Sequence, residues 1–166
     1  MVPSVRPFPE WPAFVTGRSV TFVRHGEKAG PGFSADLTPR GRVDAQFAGS
    51  KIPVEVDLYI ASPSPRTVST AKCIRAGNGT EAPVVTEDQL AEPGNGFYTE
   101  FGPAMKSFVT RLLEIITEHG ADVTVAVTHN YVVDYVAALF GIESESTILC
   151  GVTIGLDEFR DSLFRL

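Results

Sequence analysis

The sequence predicts an α/β fold, namely a three-layer α/β/α sandwich with a mostly parallel central sheet. Apolar stretches with the length of strands alternate along the chain with stretches of helical spacing. This alternation favours a parallel sheet covered by helices. Residues 58–61 are mostly apolar, as expected of a strand that is covered on both faces.

Two strand–helix pairs make up the first half of the chain. The first strand runs from Ser19 to Val23, and a loop through residues 30–32 follows it. Thr38 is the predicted N-cap of the first helix, with proline at its first position. Ser64 is the predicted N-cap of the second helix, which also has proline at its first position and follows the strand at residues 58–61.

The second half begins with a loose region and ends in short strands. Residues 77–103 are rich in glycine, asparagine and proline around a short Val84–Val85 segment, and we expect a loop over the pocket. Apolar residues then recur at helical spacing over 103–119. A strand at 123–127, a helix at 132–140 and one or two strands within 148–156 complete the prediction.

The length of 166 residues fits one domain with a substantial core. We expect residues 1–17 to be an irregular N-terminal segment that packs Trp11 and Phe14 on the body, and residues 18–166 to form a single domain. The first ten residues lack the apolar run of a secretory signal. No stretch is long and apolar enough to cross a membrane. The expected location is the cytoplasm, without a membrane partner.

Composition argues against several classes of partner and cofactor. The net charge is −6, with +4 on residues 1–75 and −10 on residues 76–166, so nucleic acid is not an expected partner. Cys73 and Cys150 are too few for a disulfide framework, and we expect two buried thiols. The three histidines lack the spacing of metal ligands, so no metal site and no cofactor are expected. The oligomeric state is left open.

Three strand ends carry a cation or an imidazole. Arg24 and His25 follow the first strand, Arg66 follows the second, and His129 follows the strand at 123–127. Ligands of open α/β sheets bind outside the carboxyl ends of the strands, so these residues should converge. Arginine binds phosphate through paired donors, which predicts a phosphate pocket. One neutral imidazole could attack phosphorus, and the other, if protonated, could donate to a phosphoryl oxygen.

Four motifs in order make the chain similar to the histidine phosphatase superfamily, which is also called phosphoglycerate mutase-like. They are Phe22-Val23-Arg24-His25-Gly26-Glu27, Leu37-Thr38-Pro39-Arg40-Gly41, Ala61-Ser62-Pro63-x-x-Arg66-x-x-x-Thr70-Ala71 and Val127-Thr128-His129. The resemblance implies a phosphoglycerate mutase-like strand order. It also implies that His25 becomes phosphohistidine in a pocket of Arg24, Arg66 and His129, without a metal.

The resemblance further implies a proton donor at Glu92, in the segment Leu90-Ala91-Glu92. One carboxyl would serve first as the acid and then as the base. Four other carboxylates compete for this role: Glu27, Asp36, Glu87 and Asp88.

Some positions depart from the family pattern. Asn130 follows the second histidine, which excludes an acid from that position and leaves a contact with phosphate or the leaving group. Lys28 either adds a cation at the mouth or is solvated. The basic cluster that mutases have after the acid is absent.

The sequence therefore favours a phosphatase that acts on a phosphomonoester or phosphohistidine, in a small molecule or a phosphoprotein. The alternatives are a phosphate- or phosphopeptide-binding module with little turnover and a phosphoglycerate mutase. A phosphatase that needs unprotonated His25 should lose activity below about pH 6.

Overall fold

The computed structural model describes residues 3–91, 101–144 and 147–166. Within them one sheet has the strand order β3-β2-β4-β1-β5. Its strands are β1 (Ser19–Arg24), β2 (Leu58–Ala61), β3 (Val84–Thr86), β4 (Val123–Thr128) and β5 (Gly151–Gly155). All neighbouring pairs are parallel except β1 and β5, which are antiparallel. The predicted mostly parallel sheet is confirmed, and the three motif-bearing strands β2, β4 and β1 are direct neighbours.

Five α-helices cover this sheet. They are α1 (Pro39–Ser50), α2 (Pro65–Asn78), α3 (Phe101–Glu118), α4 (Asn130–Leu139) and α5 (Leu156–Asp161). Short 3₁₀ helices lie at Trp11–Phe14, Asp88–Leu90 and Ser162–Arg165.

The strands bury alternate side chains in two separate clusters. Phe22 and Ile60 pack with α3, α4 and α5, and the Phe22 ring lies 5.7 Å from that of Phe159. Val23 and Tyr59, one position away in each strand, pack with α1 and α2 on the opposite face. Because side chains alternate across a strand, both faces of the sheet are apolar. The predicted three-layer sandwich is confirmed.

Helices α1 and α2 touch through glycines. A Cβ atom at Gly49 would overlap the carbonyl of Ile74, and one at Gly77 would overlap the carbonyl of Gln46. The absence of side chains at these two positions lets the backbones approach closely. The helix that carries Arg66 is thereby held against α1.

Two features of the elements differ from the sequence predictions. The loose region does not start at residue 77, because α2 continues to Asn78 and ends at Gly79 in a left-handed conformation. The strand expected within 148–156 is present as β5, but the chain after it forms a helix that was not predicted, α5, with two acidic residues in its first turn and Leu156 and Phe159 buried. Acidic side chains favour the positive end of a helix.

The N-terminal segment and the cysteines also differ in part from expectation. Trp11 is buried, as predicted, but it lies in a 3₁₀ helix, and Arg6 pairs with Gly151. Cys150 is buried, and burial raises the pKa of its thiol to about 11. Cys73 is only half-buried, because it lies near the surface of α2. No helix of the described ranges is long and apolar enough to cross a membrane.

Candidate active site

The main chain after β1 is fixed on several sides. The N–H of His25 donates to the carbonyl of Thr128 at 3.0 Å, and its own carbonyl accepts from the N–H of Leu149 at 3.3 Å. The N–H of Gly26 donates to the hydroxyl of Thr70 at 3.1 Å. Three elements thus hold the His25 backbone, which limits the positions open to its ring.

The start of α1 docks against the same turn. Thr38 caps α1 by accepting a hydrogen bond from the Gly41 N–H at 2.9 Å, and its own N–H donates to the Glu27 carbonyl at 2.9 Å. A Cβ atom on Gly41 would come within 2.6 Å of that carbonyl oxygen. The glycine of the second motif therefore permits a close contact with the turn that carries His25.

Three buried side chains meet at the carboxyl ends of β1, β2 and β4. The exposed fractions are 5% for His25, 3% for Arg66 and 1% for His129. The two imidazole centroids are 5.4 Å apart. Arg66 donates from Nε to His25 Nε2 at 3.2 Å and from a terminal nitrogen to His129 Nδ1 at 3.4 Å. The convergence expected from the sequence is present for these three residues.

The hydrogen bonds of His25 define its tautomer. Its Nδ1 lies 2.7 Å from the carbonyl oxygen of Gly26, and a carbonyl can only accept, so Nδ1 carries the proton. Nε2 then holds a lone pair directed at Arg66. Burial lowers the pKa of His25 to about 4, the Gly26 carbonyl opposes this, and the charges of Arg66, Arg24 and Lys28 add to it. At neutral pH His25 is therefore a neutral imidazole with its lone pair on Nε2.

His129 has the opposite tautomer, because a group of hydroxyls accepts its proton. Its Nδ1 accepts from Arg66, so Nε2 carries the proton and donates to Ser62 Oγ at 2.9 Å. Ser62 and Ser64 in turn lie 2.8 and 2.7 Å from Thr67 Oγ1, whose own hydroxyl donates to the Ser62 carbonyl at 2.7 Å. Every proton of this network has an acceptor, which fixes the ring of His129.

At neutral pH His129 is uncharged. Burial lowers its pKa to about 3, and the positive charge of Arg66 contributes. The sequence left open a protonated second imidazole, but at neutral pH the ring of His129 carries no positive charge. A buried site with several cations disfavours a further positive charge.

The remaining predicted phosphate ligands surround this group at different depths. Arg24 is the half-buried last residue of β1, and Lys28 is exposed in the following loop. Their charges contribute to the low pKa values of both histidines. Asn130 is the first residue of α4, and His129 is the N-cap of that helix. The positive end of α4 therefore faces the site, in addition to that of α2.

The acid predicted from the sequence, Glu92, lies outside the described residues. Leu90 lies beside the site, because its carbonyl accepts a hydrogen bond from the hydroxyl of Thr128 at 2.6 Å. Thr128 directly precedes His129.

Three of the four competing carboxylates have other partners. Glu27 accepts from Thr38 at 2.8 Å, Asp36 from Arg42 at 2.9 Å and Glu87 from Arg111 at 3.1 Å. Asp88, the fourth, is exposed. Within the described ranges, no three His, Cys, Asp or Glu side chains group as metal ligands.

Sequence reasoning missed two parts of the site. Ser62 and Thr67 hold His129, although Ser62 was quoted in its motif without a role. Arg66 is also tied to a loop, since a terminal nitrogen donates to the carbonyl of Phe33 at 3.1 Å. The serine had a signal, namely a hydroxyl directly after a buried strand. The carbonyl of Phe33 had no signal in the sequence, because every residue has a backbone carbonyl.

Comparison with known proteins gives a family for the chain and solved structures with a similar fold. The model of the family described as histidine phosphatase superfamily (branch 1) matches residues 20–103. The structure of the protein histidine phosphatase SixA with tungstate is similar, with a TM-score of 0.65, 18% identity and coverage of 84% of this chain and 90% of that one. Phosphoserine phosphatase from Entamoeba histolytica, solved with 3-phosphoglyceric acid, gives a TM-score of 0.59, 18% identity and coverage of 81% and 89%.

A mycobacterial glucosyl-3-phosphoglycerate phosphatase gives a TM-score of 0.55, 15% identity and coverage of 75% and 80% of the respective chains. Identities at this level show a shared fold. No curated protein matches the chain in sequence.

Proposed function

The chain belongs to the histidine phosphatase superfamily (branch 1), and on that premise we propose that it is a metal-independent phosphatase that works through a phosphohistidine on His25. One observation carries the proposal: the unprotonated Nε2 of His25 is directed into a buried, cationic pocket. A phosphoryl group needs a nucleophile and positive charge at the same point, and the chain supplies both.

In the first step, the lone pair of His25 Nε2 attacks phosphorus. The N–P bond forms while the bond to the leaving oxygen breaks, and that oxygen takes a proton. The Arg66 N–H groups that now contact both imidazoles would donate to the phosphoryl oxygens, with Arg24 beside them. Because the Arg66 guanidinium is already held beside both imidazoles before the substrate arrives, only its hydrogen bonds to the rings are exchanged for bonds to the phosphoryl oxygens, and the developing charge is stabilised.

His129 would contribute through its Nδ1, which faces Arg66. A bound phosphoryl dianion favours a protonated neighbour, so its arrival would raise the pKa of His129. Ser62 keeps the proton at Nε2 in either state. His129 could then share a second proton with a phosphoryl oxygen, which restores the donor role expected from the sequence.

We propose Glu92 as the acid of the first step and the base of the second. It would give its proton to the leaving oxygen and then take one from the water that attacks phosphohistidine. The N–P bond breaks, phosphate leaves and Glu92 is protonated again. Two observations support this choice: the Leu90 carbonyl is anchored beside the pocket, and Glu27, Asp36 and Glu87 have other partners.

The proposed substrates are a phosphomonoester or a phosphohistidine, in a small molecule or a protein. Asn130 and Lys28 are proposed to contact the phosphate or the group that carries it. The solved structures with this fold include a protein histidine phosphatase and a phosphoserine phosphatase, so both chemistries belong in the test.

The test measures phosphate release from p-nitrophenyl phosphate, phosphoserine and a phosphohistidine peptide with a chelator present. We expect the wild type to release phosphate and His25→Ala to be inactive, because the variant lacks the imidazole on which the proposed phosphohistidine forms. A rapid quench with labelled substrate should trap an acid-labile phosphoprotein in the wild type only.

His119→Ala is the matched control, because this exposed histidine lies after α3 and bonds the carbonyl of Ile115. It should retain full activity. Phosphate release by His25→Ala at the wild-type rate would overturn the mechanism. Tight binding of phosphate without release by the wild type would favour the binding module.

A further inference from the structure

Large apolar side chains are exposed on segments that contact the site. Among the described residues, six such side chains are well exposed, and three of them neighbour site residues in the chain or through hydrogen bonds: Phe33, Tyr131 and Ile148. Their exposed fractions are 62%, 51% and 47%. Single exposed apolar residues are ordinary on a protein surface, but a group beside a binding site is not.

Each of the three is tied to the pocket by its backbone. The carbonyl of Phe33 accepts from Arg66 at 3.1 Å. Tyr131 lies in the first turn of α4, two residues after His129. Ile148 precedes Leu149, whose N–H donates to the carbonyl of His25. The three side chains therefore belong to segments that contact Arg66, His129 and His25 respectively.

The turn that presents Ile148 is held in an unfavourable conformation. Leu149 has a φ of 57°, which is rare for a residue with a bulky side chain, and its side chain is buried. Such a conformation is unfavourable and persists only where the surroundings impose it. Here the buried Leu149 side chain and the bond to His25 impose it, which keeps Ile148 at the surface.

We propose that Phe33, Tyr131 and Ile148 form an apolar rim that binds the leaving group of the substrate, which is therefore a small phosphomonoester with an aromatic or branched aliphatic leaving group. This inference rests on the proposed function, since it assumes that the phosphoryl group lies between His25 and Arg66. It adds what the phosphate pocket does not specify, namely the group attached to the phosphate.

Charge supports an uncharged leaving group. The cations nearest to His25 are the buried Arg66 and the half-buried Arg24, and the proposed function assigns both to the phosphoryl group. The apolar rim offers three apolar surfaces at the mouth, with Lys28 as a neighbouring cation. A carboxylate or a second phosphate on the leaving group would be placed against these apolar surfaces, where burial without a partner is unfavourable.

Binding of non-hydrolysable phosphonates tests the apolar rim without requiring turnover. Calorimetry would compare benzylphosphonate with methylphosphonate, which share the phosphonate group and differ in the apolar part. We expect the wild type to bind benzylphosphonate at least about tenfold more tightly, which corresponds to about 1.4 kcal/mol. Burial of roughly 50 Å² of the ring is sufficient for this preference.

The variants Phe33→Ala and Tyr131→Ala should each reduce the benzyl preference severalfold. Phe164→Ala is the matched control, because Phe164 is 88% exposed in the C-terminal 3₁₀ helix and should leave the preference unchanged. Equal binding of the two phosphonates by the wild type would overturn the proposal, even if a phosphopeptide bound more tightly than either.

The apolar rim and the proposed function fail in different ways. A benzyl preference together with no phosphate release in the His25 assay would leave the apolar rim supported and remove the hydrolytic mechanism. Phosphate release with no benzyl preference would support the hydrolytic mechanism and remove the apolar rim. Failure of both phosphonates to bind would remove the phosphate pocket and the apolar rim together.

Discussion

In the proposed mechanism, the residue that decides the chemistry is His25, and its protonation state sets the pH range of activity. Burial lowers its pKa to about 4, and cationic neighbours act in the same direction. The free enzyme therefore holds an unprotonated nucleophile down to about pH 4. The sequence alone led to an expected loss of activity below about pH 6, because the burial of His25 could not be derived from its motif.

We therefore expect kcat/KM, corrected for ionisation of the substrate, to fall near pH 4. This parameter reports the essential groups of the free enzyme. In Arg66→Ala the acidic limb of the pH–rate profile should move to higher pH, because loss of the cation raises the pKa of His25. Activity should also fall on the order of 10²-fold. The measurement is a pH–rate profile with p-nitrophenyl phosphate. A wild-type limb near pH 6.5 would show that His25 is not desolvated.

At the scale of elements, the position of Arg66 depends on the contact between α1 and α2. Gly77 lies within α2, where alanine would ordinarily favour the helix. Here its Cβ atom would overlap the backbone carbonyl of Gln46 in α1, so the helices must separate. Because Arg66 is on the first turn of α2, this separation would also disturb the phosphate pocket.

We expect Gly77→Ala to lower the free energy of unfolding by roughly 1–3 kcal/mol, as overpacking does in other proteins. Gly17→Ala is the control, because a Cβ atom there meets nothing within 4 Å. Guanidinium chloride denaturation gives both values. Equal stability of the Gly77 variant and the wild type would show that the helices adjust without cost.

Elements with strong local signals were predictable. Thr38 and Ser64 precede prolines at helix starts, and both helices begin where expected. The contact through Gly49 and Gly77 was not predictable. A glycine inside a helix indicates only a low helix propensity until the residue that packs against it is known. The helix at 156–161 was missed because its burial depends in part on contacts with β1, which is distant in sequence.

For the whole molecule, the order of the motifs was sufficient to predict that His25, Arg66 and His129 converge, because parallel strands end at one edge. The hydroxyls that orient His129 were not predictable. Ser62 and Thr67 are five residues apart, and only the start of α2 brings their oxygens together. Local sequence thus indicated which residues come together, and the packing around them sets their protonation.

The same protonation makes the stability of the molecule depend on pH. The native state keeps His25 and His129 neutral, with pKa values of about 4 and 3, whereas in the unfolded chain both take up protons below about 6.5. Between these values the unfolded state binds more protons, so stability must fall as pH falls from about 6.5 towards 4. One pKa unit corresponds to about 1.4 kcal/mol, which makes the loss on the order of a few kcal/mol.

Denaturation of the wild type at pH 7.5 and pH 5 should show this loss, and the double variant His25→Gln/His129→Gln should lose much less over the same interval. His119→Gln, which changes an exposed imidazole, should behave as the wild type does. If the double variant lost as much stability as the wild type, the two buried histidines would not be the groups that titrate on unfolding. The desolvation that makes His25 a nucleophile would then have to be smaller than its burial indicates, and the acidic limb of activity should move up with it.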